Sequence, residues 1–194
     1  MLSEIKKGHQ CYVICPLIDE SSAEKMEGVT SVSQEAENIE AYFKNYPDIN
    51  VVSINGKMKK DEIEQNIQKF ANNEASILVS TTIVEVGVNV PNATVMVIKN
   101  SERFGLAQAH QLRGRVGRGN AQSYCLLLTH KNDPKAEILC KTNDGFEISK
   151  QDMILRGTGD YLGTQQTGNN SDVMLMIACL LYTSDAADDS LRVD

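Results

Sequence analysis

The sequence has no run of about 18 consecutive apolar residues, so it writes no membrane-spanning helix and no membrane partner is expected. Its N-terminal stretch, MLSEIKKGHQCYVICPL, has only a short apolar part and no small-residue cleavage site, which argues against a secretory leader. Histidines number three (His9, His110, His130), none at ligand spacing to a cysteine, and the five cysteines (Cys11, Cys15, Cys125, Cys140, Cys179) contain no CxxC pair. No metal site is therefore expected. An odd cysteine count in mostly apolar surroundings predicts buried free thiols in a reducing compartment. There is no internal repeat. With 19 Lys+Arg against 26 Asp+Glu, a net charge of −7, the chain lacks the positive charge of a nonspecific nucleic-acid coat. A local basic site stays open, because charge acts over only about 8–10 Å.

What is present is ordinary globular composition: 194 residues, 41% hydrophobic and 23% charged, enough for one full α/β domain and an appendage. Apolar, β-rich runs predict strands over QCYVIC (Gln10–Cys15), INVVSI (Ile49–Ile54), ASILVS (Ala75–Ser80), ATVMVIK (Ala93–Lys99) and SYCLLLT (Ser123–Thr129). Between them, Ser33–Tyr46 has a serine at the N-cap and Ala36, Ile39, Tyr42 and Phe43 at helical spacing. KKDEIEQNIQKFANN repeats the pattern with Ile63, Ile67 and Phe70 on one face, while Asp19–Ser33 reads as a loop. Near-continuous apolar strands separated by helices indicate a parallel sheet buried on both faces, with ligands at the carboxyl ends of its strands. The chemically unusual residues are expected at those ends. Beyond Thr129, DPKAEILCK and ISKQDMILR read as two short helices joined by TNDGF, ahead of a glycine-rich RGTGDYLGTQQTGNN. From about Leu180 the chain is polar and Asp-heavy and reads as a disordered tail.

Two clusters carry chemistry. STTIVEVGVNVP (Ser80–Pro91) concentrates Thr81, Thr82, Glu85, Gly87 and Asn89 after a buried strand; taken alone it fits a polar strand connection as well as a binding loop. QLRGRVGRG (Gln111–Gly119) packs Arg113, Arg115 and Arg118 among glycines. On a helix end Arg115 and Arg118 would share a face. Guanidinium is planar, permanently charged and suited to bidentate phosphate contact, and Lys99 and Arg103 make the neighbourhood basic. A solvated basic patch or a salt-bridged helix terminus fits the same residues.

SERFGLAQAHQLRGRVGRG, STTIVEVGVNVPNA, QCYVICPLIDES and SINGKMKKDEIEQNIQKFANNEASILVSTT resemble the C-terminal motor lobe of the RecG family of superfamily 2 ATP-dependent DNA helicases. RGTGDYLGTQQTG is similar to the translocation-coupling segment that this family shares with the transcription-repair coupling factor. The resemblance runs from about Gly8 to Gly168. It implies an α/β fold in three parts. Residues 1–131 would be a RecA-like parallel sheet sandwiched by helices, the C-terminal lobe of a P-loop NTPase helicase. Residues 132–172 would be a helical hairpin and coupling loop, and residues 173–194 a helix remnant with a non-native or disordered tail.

By the same resemblance Gln111, Arg115 and Arg118 are catalytic, their arginines reaching across an interlobe cleft to the phosphates of ATP, with Gly87 and Asn89 also on the nucleotide side. Thr81, Thr82, Glu85 and Gly87 would link the DNA backbone to the nucleotide, and Arg156 and Gln166 would tie the hairpin to the motor. Three positions depart from the family: Asn89 stands for a usual Asp, and Gln165 and Lys135 for usual arginines. Neither a GxxxxGK[ST] phosphate loop nor a DExH-type acidic box occurs, so ATP and Mg²⁺ would be bound mainly by a first lobe outside this chain. The chain alone is expected to be inactive. As part of a complete helicase it would remodel branched or double-stranded DNA in repair and recombination, working with that N-terminal lobe and a wedge domain in the bacterial cytoplasm at the nucleoid. The alternatives are the corresponding lobe of the transcription-repair coupling factor and a non-catalytic nucleic-acid-binding lobe.

Overall fold

A computed structural model describes residues 1–17, 31–81, 90–130, 132–159 and 175–181, with backbone alone for 156–159 and 175–181. The five apolar runs form strands β1 (Gln10–Ile14), β2 (Val51–Ile54), β3 (Ile77–Ser80), β4 (Ala93–Ile98) and β5 (Ser123–Thr129), all mutually parallel. A sixth strand, β6 (Leu175–Leu181), runs antiparallel beside β5, giving the sheet order β2-β3-β1-β4-β5-β6. The helices are α1 (Leu2–Ile5), α2 (Val32–Tyr42), α3 (Lys60–Ala71), α4 (Leu106–Arg113), α5 (Pro134–Lys141) and α6 (Gly145–Gly159).

Every residue of β1, β3 and β4 is buried, as a parallel sheet covered on both faces requires. Successive residues point to opposite faces. Tyr12 and Ile14, with Ile54, Leu78, Met96, Ile98 and Leu127, form one core with Phe70, Leu106, Leu112, Leu139 and Ile148 from α3 to α6. Cys11, Val13 and Cys15, with Ile77, Val79, Val95 and Val97, form the other, under Val32, Ala36 and Phe43 of the α2 side. The Tyr12 and Phe70 rings meet at 4.9 Å.

Local hydrogen bonds set the helix starts. Ser31 Oγ, two residues before the expected cap, accepts from Gln34 N at 3.2 Å, so α2 begins at Val32; it ends at Tyr42 rather than Tyr46. Asp133 Oδ1 accepts from Lys135 N at 3.1 Å ahead of Pro134, an N1 proline whose missing N–H costs nothing there. Asp144 Oδ1 accepts from Phe146 N at 2.8 Å and starts α6 three residues before the expected ISKQ run. At the amino edge of the sheet, Gln10 Nε2 donates to the carbonyls of Phe70 (2.6 Å) and Ala75 (2.8 Å), fastening the end of α3 to β1.

Two expectations are corrected. Residues 175–181, expected as a helix remnant running into a tail, form a strand over seven register pairs with β5, from Ser123↔Leu181 to Thr129↔Leu175. The pattern LMIACLL is apolar enough for either state, and pairing with the β5 edge decides it. Cys11, Cys15 and Cys125 are buried free thiols, but Cys140, exposed on α5, is disulfide-bonded. No helix among the described residues is long and apolar enough to cross a membrane.

Replacing Phe70, fully buried against Tyr12, by Ala is expected to lower unfolding stability by about 3–5 kcal/mol, read as a shifted urea midpoint. Burial pushes the Cys11, Cys15 and Cys125 thiols up to about 12. They should therefore stay protonated and resist iodoacetamide at pH 8 until denaturant is added, as mass spectrometry of the alkylated chain would report.

Candidate functional site

The arginine motif lies where α4 ends. Its helix stops at Arg113, one residue before Gly114, and the chain then turns through Gly117 at φ 80°, in the left-handed region that favours glycine. Arg115 and Arg118 therefore do not share a helix face, as the spacing predicted; they are carried on a turn beyond it. Arg118 Nε donates back to Gly114 O at 3.0 Å and closes that turn. Arg115 is half-buried and Arg118 exposed, while Gln111 is exposed on the last turn of α4. Both guanidiniums reach the Tyr12 hydroxyl electrostatically: burial pushes its pKa up to about 12, and Arg115 and Arg118 oppose the rise. Two fixed positive charges thus act on the same buried hydroxyl of β1.

The position of this loop corrects a further expectation. A Cβ on Gly119 would stand 3.0 Å from Pro91 O, and Pro91 precedes β4, so the loop abuts the amino edge of the sheet. The reason is topological: α4 follows the carboxyl end of β4 and returns to the start of β5. Thr81 does sit at a carboxyl end, directly after β3. It is 5% exposed, and its Oγ1 has no hydrogen-bond partner. Thr82, Glu85, Gly87, Asn89, Gln165 and Gln166 lie outside the described residues, as does the side chain of Arg156 on α6.

Arg113, grouped by the sequence with the phosphate-seeking arginines, turns the other way. It is 3% exposed, and its Nη1 donates to the carbonyls of Leu139 and, at 3.0 Å, Thr142, while Nη2 lies 2.8 Å from His110 Nδ1. Burial pushes its pKa down, opposed by Cys125. Lys135 makes the reciprocal tie, its Nζ donating to Glu102 O at 2.6 Å and Phe104 O at 2.9 Å, just ahead of α4. The helices α4 and α5 are thereby held side by side, near their starts by Lys135 and near their ends by Arg113. Sequence reasoning missed the Arg113 role; the available signal was a histidine three residues earlier on the same helix. Lys99, counted as local positive charge, is neutralised by Glu35 of α2 at 2.5 Å.

Among the described residues no group of three or more His, Cys, Asp or Glu side chains could hold a metal ion. A cavity of about 600 Å³ opens at the amino edge between Lys6, His9, Tyr46 and Asp48, and none of the sequence-predicted residues lines it.

Residues 1–120 match the family described as the helicase conserved C-terminal domain, and residues 142–181 match that described as ATP-dependent DNA helicase RecG, domain 3, C-terminal. The chain is similar to the ATP-dependent DNA helicase RecG of Staphylococcus aureus (strain NCTC 8325), 49% identical over 175 residues, which is 87% of this chain and 24% of that protein. It is also similar to the Bacillus subtilis (strain 168) protein of the same name, 49% identical over 172 residues, 85% of this chain and 24% of that one. It thus spans about a quarter of the length of these relatives. Among solved structures, RecG bound to a three-way DNA junction superposes with a TM-score of 0.60 at 36% identity, covering 81% of this chain and 20% of that one. Domain 2 of the DEAD-box helicase Mss116p, bound to an RNA duplex, superposes at 0.54 with 18% identity over 79% of this chain and 59% of that one, a likeness of fold.

Because the Thr81 hydroxyl is buried without a partner, Thr81→Val should leave the unfolding free energy from urea titrations unchanged or raise it by about 1 kcal/mol. A loss of more than that would show that the hydroxyl already holds something in the folded lobe.

Proposed function

Because the chain belongs to the helicase conserved C-terminal domain family, we propose that it serves as the second motor lobe of an ATP-dependent double-stranded DNA translocase that remodels branched DNA in repair and recombination. The observation that carries this reading is the loop after α4, where a glycine-permitted turn carries Arg115 and Arg118 while Arg113 is diverted inward. Two positioned guanidiniums suit the γ-phosphoryl group of ATP presented by a first lobe: fixed charge placed where negative charge develops lowers the barrier without reorganisation. Gln111, exposed one turn earlier, would orient that contact. Gly87 and Asn89 would complete the nucleotide side.

Thr81, Thr82 and Glu85 would meet the DNA backbone. The unpartnered Thr81 hydroxyl supports that role, because hydroxyls there would hold phosphates and carry no sequence information. Arg156 and Gln166 would connect the hairpin of α5 and α6 to movement along the duplex. ATP and Mg²⁺ would be held mainly by the first lobe, since this chain has no phosphate loop. The name of the similar proteins, ATP-dependent DNA helicase RecG, and the DNA junction in the similar structure support a DNA substrate. A protein acting on the chromosome of a bacterium would work in the cytoplasm, at the nucleoid.

In the complete protein, Arg118→Ala should lower kcat for ATP by about a thousandfold or more, with DNA affinity changed only a few-fold. Steady-state ATPase assays with saturating DNA would decide it, and a rate within a few-fold of wild type rejects the arginine assignment. Gln166→Ala should spare much of the DNA-stimulated ATPase while impairing unwinding of a synthetic fork. Equal loss of both would count against a coupling role.

A further inference from the structure

His110 occupies the point where three helices meet. It lies on the last turn of α4, Arg113 links it to the carbonyls that end α5, and a Cβ on Gly145, the first residue of α6, would stand 3.6 Å from its Nε2. A guanidinium has five N–H donors and no acceptor. With Arg113 Nη2 only 2.8 Å from His110 Nδ1, that nitrogen has to present a lone pair, so the ring is neutral and carries its proton on Nε2. A second ring proton would set donor against donor and bring two positive charges together in a half-buried setting, where they repel strongly.

We propose that His110 and Arg113 form a proton-sensitive joint between the arginine loop and the α5–α6 hairpin, closed while His110 is neutral and released when it is protonated. Its consequence for the motor rests on the function proposed above, whereas the joint itself rests on the geometry of this chain.

The surrounding charges leave Arg113 as the group that acts on the imidazole. On α5, Lys141 Nζ pairs with Glu137 at 3.4 Å. Before and on α6, Asp144 accepts from Phe146 N and Glu147 N, and Glu147 accepts from Gln151 Nε2 at 2.8 Å. Burial first, and Arg113 second, hold the His110 pKa below its ordinary value of 6.5. The sign follows: protons bind more tightly to the opened state, so the joint is intact above pH 6.5 and is lost as pH falls through the lower folded value. Protonation withdraws the acceptor from Arg113, the residue that also holds Leu139 O and Thr142 O, so the end of α5 and the start of α6 loosen together.

The test is hydrogen exchange of residues 145–155 in the full chain between pH 7.5 and pH 5, corrected for the intrinsic exchange rate. The opening constant should rise by up to roughly tenfold per pH unit below 6.5 and level off at the folded His110 value. His110→Asn puts an untitratable acceptor oxygen near the Nδ1 position and should make the profile flat. A flat wild-type profile, or an Asn variant that keeps the wild-type slope, overturns the joint. Should that variant fail to fold, the imidazole resonances of wild-type His110 decide: a pKa at or above 6.5, or a proton on Nδ1, overturns it equally. In the complete protein, base pairs moved per ATP should fall below pH 6.5 and be rescued by His110→Asn. A pH-sensitive hairpin with unchanged coupling would leave the joint standing and reject the motor reading of the loop.

Discussion

The buried guanidinium of Arg113 is the constraint on which the arrangement of the second half of the chain depends. A cation removed from water costs several kcal/mol unless its donors are met. Here they are met by the carbonyls of Leu139 and Thr142 and by a neutral imidazole. Leu139 O belongs to the orphan carbonyls at the end of α5, where a helix favours positive charge. One side chain therefore satisfies the end of α5 and fixes the tautomer of His110. Lys135 applies the same chemistry near the starts of the two helices. The two helices are thus tied near both ends.

The sheet explains why the turn lies where it does. In a parallel sheet each crossover helix carries the chain from the carboxyl edge back to the amino edge. Whatever follows such a helix is delivered to the amino edge, and the turn after α4 meets Pro91 there. Residues directly following a strand, Thr81 after β3 and Lys99 after β4, stay at the carboxyl edge. The α/β rule that places ligands at carboxyl ends thus applies to residues just after strands and not to a motif that trails a crossover helix.

The sheet was legible because periodicity reports burial directly: all five parallel strands lie within the apolar runs that predicted them. Boundaries were less legible, because a cap depends on which hydroxyl reaches a free N–H, and Ser31 and Ser33 look alike in sequence. The arginine cluster was legible as chemistry and not as geometry. Three arginines within six positions read alike, and only tertiary contact with Leu139 and Thr142, 26 and 29 residues away, separates Arg113 from the other two. The strand at 175–181 was hidden for a related reason: an apolar heptapeptide takes its state from the edge it meets, and β5 offered one.

Lys135 ties two segments together beside several buried atoms that have no hydrogen-bond partner. The sequence resemblance leads one to expect an arginine at this position. Its ammonium reaches Glu102 O and Phe104 O but remains 4.0 Å from Asp133 Oδ2, which has no hydrogen-bond partner. Ser101 Oγ, Glu102 Oε2 and His130 Nε2, in the segments just after β4 and β5, are likewise buried and unpartnered. A compact ammonium offers three donors where a guanidinium would offer five in a planar fork. The lysine therefore ties the hairpin to the segment before α4, with the neighbouring carboxylate oxygen held only at ion-pair distance. The clamp at Arg113, whose donors reach two carbonyls and an imidazole, is the firmer of the two.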